Sequence, residues 1–115
     1  MRTRTELVTE LVEQATPEAS TIEELRAFGW DSQAVLVTVT KSHVLHVLDA
    51  FESGAINSSQ VRDWAKRLEY RDDVGYEDGG EGVVNEAIFW LAVPAINGAL
   101  DASMCRRIEA LFASR

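Results

Sequence analysis

The sequence predicts an all-α fold, a bundle of five or six helices in a single domain that spans residues 1–115. Apolar residues recur every three or four positions along most of the chain, as in helices that bury one face. Capping residues and glycine or proline stops separate these stretches. A hydrophobic content of 46% is enough for one core without disulfides. One short extended segment near residues 34–40 is the only exception that the pattern suggests.

The first two helices occupy the N-terminal quarter of the chain. The first apolar stripe should end near Thr16, because Pro17 disfavours α geometry in the residue before it. Thr21 followed by Glu24 is typical of a capping box, in which each side chain satisfies a free backbone amide. We therefore expect the second helix to begin at Thr21.

Residues 34–40, "AVLVTVT", differ from the rest of the chain. They are rich in β-branched side chains and alternate in the period of a strand. A single strand leaves its backbone groups unpaired, so this segment needs a partner strand elsewhere in the chain or in a second copy of it. A helical conformation is the remaining alternative.

Two amphipathic helices should follow this segment. Thr40 or Ser42 can cap the third helix, and Gly54 supplies the left-handed position that ends it. Asn57 or Ser58 can cap the fourth, which is the clearest amphipathic helix in the sequence. Its apolar side consists of Val61, Trp64, Ala65 and Leu68.

The last part of the chain predicts a buried helix and a final amphipathic one. "VVNEAIFWLAV" is apolar on nearly every side, which is typical of a helix enclosed by its neighbours, and Pro94 ends it. Asp101 caps the final helix. The residues of that helix expected to face inward are Met104, Ile108, Leu111 and Phe112.

Charge and composition exclude several classes of function. The net charge of −8 would repel nucleic-acid phosphates, and no apolar run is long enough to span a membrane. The single cysteine, Cys105, cannot form an intrachain disulfide, and the N-terminus lacks the apolar region of a secretory signal. We therefore expect a cytoplasmic protein that binds neither nucleic acid nor membrane.

The stretch from Glu69 to Glu81 is strongly acidic. It holds six carboxylates and one arginine, a balance of −5 out of the net −8. An EF-hand loop that begins at Asp72 has Val74 at position 3, and one that begins at Asp73 has Gly75 there, so neither has the required oxygen ligand. Both also lack the final glutamate. No phosphate-binding motif is present, and these acids would repel the anion. A weak Mg²⁺ or Ca²⁺ site remains an alternative to hydrated carboxylates, but we predict no metal site and no cofactor.

Catalytic sets are also missing. His43 and His46 could share a helix face, but zinc needs three or four ligands, and Cys105 is far along the chain. We interpret the histidines as satisfied or exposed side chains and Cys105 as a small core residue. The sequence therefore predicts that the protein is not an enzyme.

A surface for a partner protein is the remaining interpretation of the acidic stretch. A concentrated negative field attracts basic proteins, and Tyr70 and Tyr76 add the aromatic area that is common at interfaces. The simpler alternative is an acidic loop that is merely hydrated.

The second half of the chain contains the runs "GAINSSQVRDWAKRLEYRDDVGYED" and "PAINGALD". The residues of interest in and around them are Gly54, Ile56, Val61, Trp64, Ala65, Leu68, Glu69, Arg71, Asp73, Val74, Tyr76, Glu77, Pro94, Ile96, Asn97, Gly98 and Leu100. In these residues the chain resembles small helical bacterial proteins of the immunity type, which protect against bacteriocins and contact-dependent toxins. Members of this kind are helical bundles that neutralise a toxin, often a nuclease, by covering its basic active site with carboxylates.

The resemblance implies a basic protein partner, a cognate bacterial toxin, whose phosphate-binding groups the carboxylates would occupy. Together with the tyrosines noted above, it suggests a binding surface formed by Asp72, Asp73, Tyr76, Glu77, Asp78 and Glu81. The alternative is a structural or regulatory homo-oligomer, such as a homodimer joined through residues 34–40.

Overall fold

A computed structural model describes residues 2–28, 34–69, 71–77 and 82–113 of the chain. These ranges are mostly helical and contain seven helices and two short strands. The helices are α1 (Arg4–Glu13), α2 (Ala19–Arg26), α3 (Lys41–Glu52), α4 (Ser58–Glu69), α5 (Val83–Ala92), α6 (Pro94–Asn97) and α7 (Ala102–Ala113). The strands are β1 (Val37–Val39) and β2 (Val74–Tyr76).

The two strands pair in parallel and correct the all-α prediction. Val37 lies opposite Val74, and Val39 lies opposite Tyr76. Parallel strands need a long crossover, which α3 and α4 provide here. The extended segment predicted near residues 34–40 is confirmed, and its partner strand lies inside the acidic stretch of the same chain. The backbone groups of β1 that face β2 therefore have hydrogen-bond partners within the same chain and need no second copy of it.

Several helix ends follow the capping chemistry of the sequence. Thr40 caps α3 in a box with His43, and Asn57 caps α4 by accepting a 2.9 Å hydrogen bond from the backbone N–H of Gln60. Asp101 Oδ1 accepts from the N–H of Met104 at 2.9 Å at the start of α7. These bonds confirm the predicted caps of the three helices.

The predicted start of α2 is wrong. The helix begins at Ala19, and Thr21 lies inside it, fully buried. The Thr21 hydroxyl bonds instead to Glu10 of α1, and Arg2 donates to both side chains at 2.7 Å. The Thr21 hydroxyl therefore holds α1 against α2 and does not cap a helix. Local sequence spacing does not reveal this contact between the two helices.

Helix α4 stabilises the C-terminus of α1. The last carbonyl groups of a helix have no partner within it and need one elsewhere. Trp64, whose side chain is fully buried, donates its indole N–H to the carbonyl of Val12 at 3.1 Å. Arg67 donates to the carbonyl of Ala15 at 2.7 Å. Trp64, on the predicted apolar side of α4, therefore also provides a hydrogen bond.

Helix α5 packs against α3, α4, α6 and α7. Its inward residues are buried, as predicted, but Phe89 is 41% exposed and Trp90 is half-buried. The prediction that the helix is enclosed on nearly every side is therefore only partly correct. Within the described ranges, no helix has the length and apolar character that a bilayer crossing requires.

Trp64→Phe should lower the free energy of unfolding by about 2–3 kcal/mol, because it removes buried volume and leaves the Val12 carbonyl without its donor. Urea denaturation followed by circular dichroism measures this change. The same substitution at the half-buried Trp90 should cost less than about 1 kcal/mol. Equal losses of stability at Trp64 and Trp90 would contradict a stabilising hydrogen bond from Trp64 to the carbonyl of Val12.

Candidate functional site

The candidate site is the acidic segment, which we define as residues 69–77. It runs from the end of α4 through β2. Tyr70 and residues 78–81 lie outside the described residues, so the partner-binding roles of Asp78 and Glu81 stay predictions. The structure places the other carboxylates of the segment in different surroundings, which give them different chemistry.

Asp73 is fully buried between two arginines. Arg71 approaches its carboxylate side-on, with Nε at 2.9 Å from Oδ1 and Nη2 at 2.9 Å from Oδ2. Arg4, from the start of α1, places its Nε at 2.7 Å from Oδ2. The side chain of Arg71 is only 6% exposed. We call these three residues the Asp73 cluster.

The Asp73 cluster also controls the backbone around it. The carbonyl of Asp73 accepts hydrogen bonds from the N–H groups of Leu36 at 2.8 Å and Val37 at 3.2 Å. One residue thus joins α1, the entry to β2 and the entry to β1. Burial by itself would raise the pKa of Asp73, but the hydrogen bonds from Arg71 and Arg4 outweigh it and hold that pKa below its usual range.

This burial changes the role expected of Asp73. Its carboxylate was predicted to contact a partner, but in the structure it is 0% exposed and both of its oxygens bind arginines of the same chain. Spacing in the sequence could suggest the pair with Arg71, two residues away. It could not suggest Arg4, which is 69 positions distant.

Tyr76 and Glu69 are the partly buried ionisable side chains of the segment besides the Asp73 cluster. Burial raises the pKa of Tyr76 to about 12, and the charge of Glu69 adds to the effect. Burial also raises the pKa of Glu69. Its Oε2 atom is buried and has no hydrogen-bond partner within the described residues. Tyr76 therefore offers a partner only part of its surface. The raised pKa of Glu69 means that burial disfavours its ionised form, against a smaller opposing effect of Lys66.

Asp72 and Glu77 are the exposed carboxylates of the segment. They lie just before and just after β2, so an extended chain separates them by up to roughly 17 Å. The backbone N–H of Glu77 donates to Val39 of β1 at 2.9 Å, and its Oε1 accepts from the N–H of Lys41 at 3.3 Å. Glu77 is thus held against β1 directly after β2, and Asp72 lies in the turn that leads to Asp73 and β2.

Metal or nucleophilic chemistry has no support in the described residues. No three His, Cys, Asp or Glu side chains come together there in a way that could bind a metal ion. His43 takes part in the cap of α3. Burial raises the pKa of Cys105 to about 11, so its thiol stays protonated at neutral pH. Cys105 is fully buried, which confirms its predicted place in the core.

Asp73→Asn should lower the free energy of unfolding by about 2–4 kcal/mol, because it leaves two partly buried arginines without their carboxylate. Asp72→Asn, at the exposed neighbouring position, is the matched control and should change stability by less than about 0.5 kcal/mol. Chemical denaturation at neutral pH measures both. A similar effect at the two positions would contradict the role of the Asp73 cluster.

The difference between wild type and Asp73→Asn should also depend on pH. Because the folded pKa of Asp73 is lowered, its stabilisation is complete above the unfolded pKa of about 3.9 and is lost as the pH falls through the folded value. Denaturation curves in acid should therefore converge for the two proteins. A difference that stays constant below pH 4 would argue against an ionised Asp73.

Glu69→Gln should raise the free energy of unfolding at neutral pH by about 0.5–1 kcal/mol. The folded state binds the proton of Glu69 more tightly than the unfolded state, so stability falls as the pH rises past the unfolded pKa, and an amide removes this loss. Glu13→Gln, at an exposed position on α1, should leave the stability unchanged. A destabilised Glu69→Gln protein would show that the carboxylate has a favourable partner.

Comparison with known proteins gives no further guide to the site. No protein-family model matches the chain, and no curated protein or solved structure matches it either. The resemblance to immunity-type proteins therefore rests on the residue pattern alone. The features that bear on function are the exposed carboxylates of Asp72 and Glu77 and the backbone that holds them.

Proposed function

We propose that this chain is a non-enzymatic protein that binds a basic partner protein through the exposed carboxylates of the acidic segment. One observation carries the proposal. Asp72 and Glu77 face solvent just before and just after a strand that the Asp73 cluster and β1 hold in place. The carboxylates are therefore presented by a fixed backbone.

A fixed backbone favours binding because less conformational freedom is lost when the complex forms. The net charge of −8 adds a long-range attraction for a basic protein, which speeds association at low ionic strength. Both effects act on the same class of partner. Neither needs a nucleophile or a bound metal ion.

The resemblance of the second half of the chain to immunity-type proteins supports a bacterial toxin as the partner. In such a complex, carboxylates occupy the basic groups that would otherwise hold the phosphates of a nucleic-acid substrate. Asp72 and Glu77 have the required exposure and charge. Asp73 would act indirectly, by holding the strand that carries them.

Asp72→Lys combined with Glu77→Lys should weaken binding of the partner at least tenfold, because two attractive contacts become repulsive. Basic proteins encoded beside the gene are the first candidates, and isothermal titration calorimetry at low and high ionic strength measures the affinity. Growth of cells that express the toxin together with each variant gives a functional readout.

Glu13→Lys combined with Asp49→Lys is the matched control, since these exposed residues on α1 and α3 give the same change in net charge. It should reduce the association rate slightly and leave the complex largely intact. Equal weakening by both pairs would mean that net charge alone drives binding. Unchanged affinity in the Asp72 and Glu77 variant would exclude the acidic segment as the binding surface.

A further inference from the structure

Strand β1 has two edges, and one of them faces away from β2. Val37 and Val39 direct their backbone groups toward β2: the N–H of Val37 donates to the carbonyl of Asp73 at 3.2 Å, and the carbonyl of Val39 accepts from Glu77 at 2.9 Å. Successive residues of a strand point in alternate directions, so the N–H and C=O of Thr38 point to the opposite side. We call that side the outer edge of β1.

The backbone groups of the outer edge are exposed and unpaired. Thr38 is exposed, and among the residues that the structure describes neither its N–H nor its C=O has a hydrogen-bond partner. Such groups are a template for another strand, and proteins commonly protect an open edge with charged side chains or proline. Residues 34–40 contain neither. Val35 adds an apolar side chain that is 58% exposed.

The sheet formed by β1 and β2 also lacks the cover that parallel strands usually have. Parallel sheets are normally covered on both faces, and a stable sheet normally has three or more strands. Here there are two strands. Their inner face, with Val39 and Val74, is buried, but Thr38 and Glu77 are exposed. A further strand at the outer edge would enlarge the sheet and pair Thr38.

A second copy of the chain fits the outer edge by symmetry. When two β1 strands pair antiparallel with Thr38 on the two-fold axis, each Thr38 N–H donates to the Thr38 carbonyl of the other copy. Val37 then lies opposite Val39 of the second copy. Residues 34–40 carry no charge, so no like charges lie directly opposite each other, and no charge on the edge selects a basic or an acidic protein instead.

The start of α3 limits this pairing. The N–H of Thr40 already donates to Nδ1 of His43 at 3.0 Å in the cap of α3, which begins at Lys41. The strand therefore cannot extend beyond Thr40. A two-fold interface uses the same edge in both copies, so the assembly closes at two chains.

We propose that this chain forms a two-fold symmetric dimer through the outer edge of β1, with a continuous sheet in the order β2–β1–β1–β2. The interface does not use the carboxylates of Asp72 and Glu77, so the dimer does not rest on the function proposed above. The net charge of −8 on each copy opposes association. The dimer should therefore strengthen as the ionic strength rises, whereas binding of a basic partner should weaken.

Hydrogen exchange of the wild-type protein, measured by NMR between about 10 μM and about 1 mM, tests the interface directly. The Thr38 amide should become protected as the concentration rises. The Val37 amide, which donates to Asp73 within the chain, should be protected throughout. Sedimentation equilibrium over the same range, at low and high ionic strength, should show a monomer and a dimer in exchange.

Thr38→Pro should weaken the dimer at least about tenfold, because it removes both N–H donors at the axis and leaves two carbonyls unpaired. The fold should tolerate it, since proline is accepted on an edge strand where the N–H has no partner. Thr38→Lys should weaken the dimer severalfold, because the axis places two like charges directly opposite each other. Thr5→Lys, at an exposed position on α1, gives the same change in charge and should leave the dimer intact.

Three results would overturn the proposal. The first is a monomer at every concentration and ionic strength, and the second is a dimer that both Thr38 variants leave intact. The third is protection of the Thr38 amide that does not depend on protein concentration or that requires a basic partner, since another segment or another protein would then cover the edge. Circular dichroism shows whether each variant keeps its helical content, so loss of the dimer through unfolding would be recognised.

Discussion

The ion pairs of Asp73 with Arg4 and Arg71 are the interaction on which the site depends. The carboxylate is removed from water, which is unfavourable unless its partners are close and well aligned. Arg71, two residues before Asp73, donates two hydrogen bonds to the carboxylate. Arg4, at the start of α1, donates a third. Asp73, one of the residues predicted to contact a partner, therefore holds the strand in place instead.

The backbone of Asp73 extends this constraint to β1. Its carbonyl receives the N–H groups of Leu36 and Val37, and the two strands then run in parallel for three residues. Three residue pairs are too few for an independent sheet, so the strands depend on the helices that cover them and on the charge cluster at their entry. The exposed Asp72 and Glu77 take their positions from this arrangement.

Local chemistry in the sequence predicts the helices well and the site poorly. Gly54 at φ 85°, Asn57 and Asp101 act through backbone groups within a few positions of themselves, so the sequence predicts where α3 ends and where α4 and α7 begin. The pairing of residues 37–39 with residues 74–76 has no local signal. The ion pair of Arg4 with Asp73 also has no local signal. Periodicity describes one element at a time, whereas this contact joins residues far apart in the chain.

Composition misleads for a similar reason. In the sequence the acidic stretch is described by a single sum of charges, but the fold divides its carboxylates between the interior and the surface. Asp73 is paired with arginines, and Glu69 is partly desolvated. Asp72 and Glu77 are exposed. The apolar run of α5 likewise predicts an enclosed helix, yet Phe89 near its end is 41% exposed.

Hydrogen exchange of single backbone amides, followed by NMR, tests the central claim that the acidic segment is an ordered strand paired with β1. The amides of Leu36, Val37 and Glu77 donate across the pair. They should exchange at least about a hundredfold more slowly than in an unstructured chain, because exchange requires the strands to separate. Exchange of all three at the unstructured rate would contradict the account and would make the segment a hydrated acidic loop.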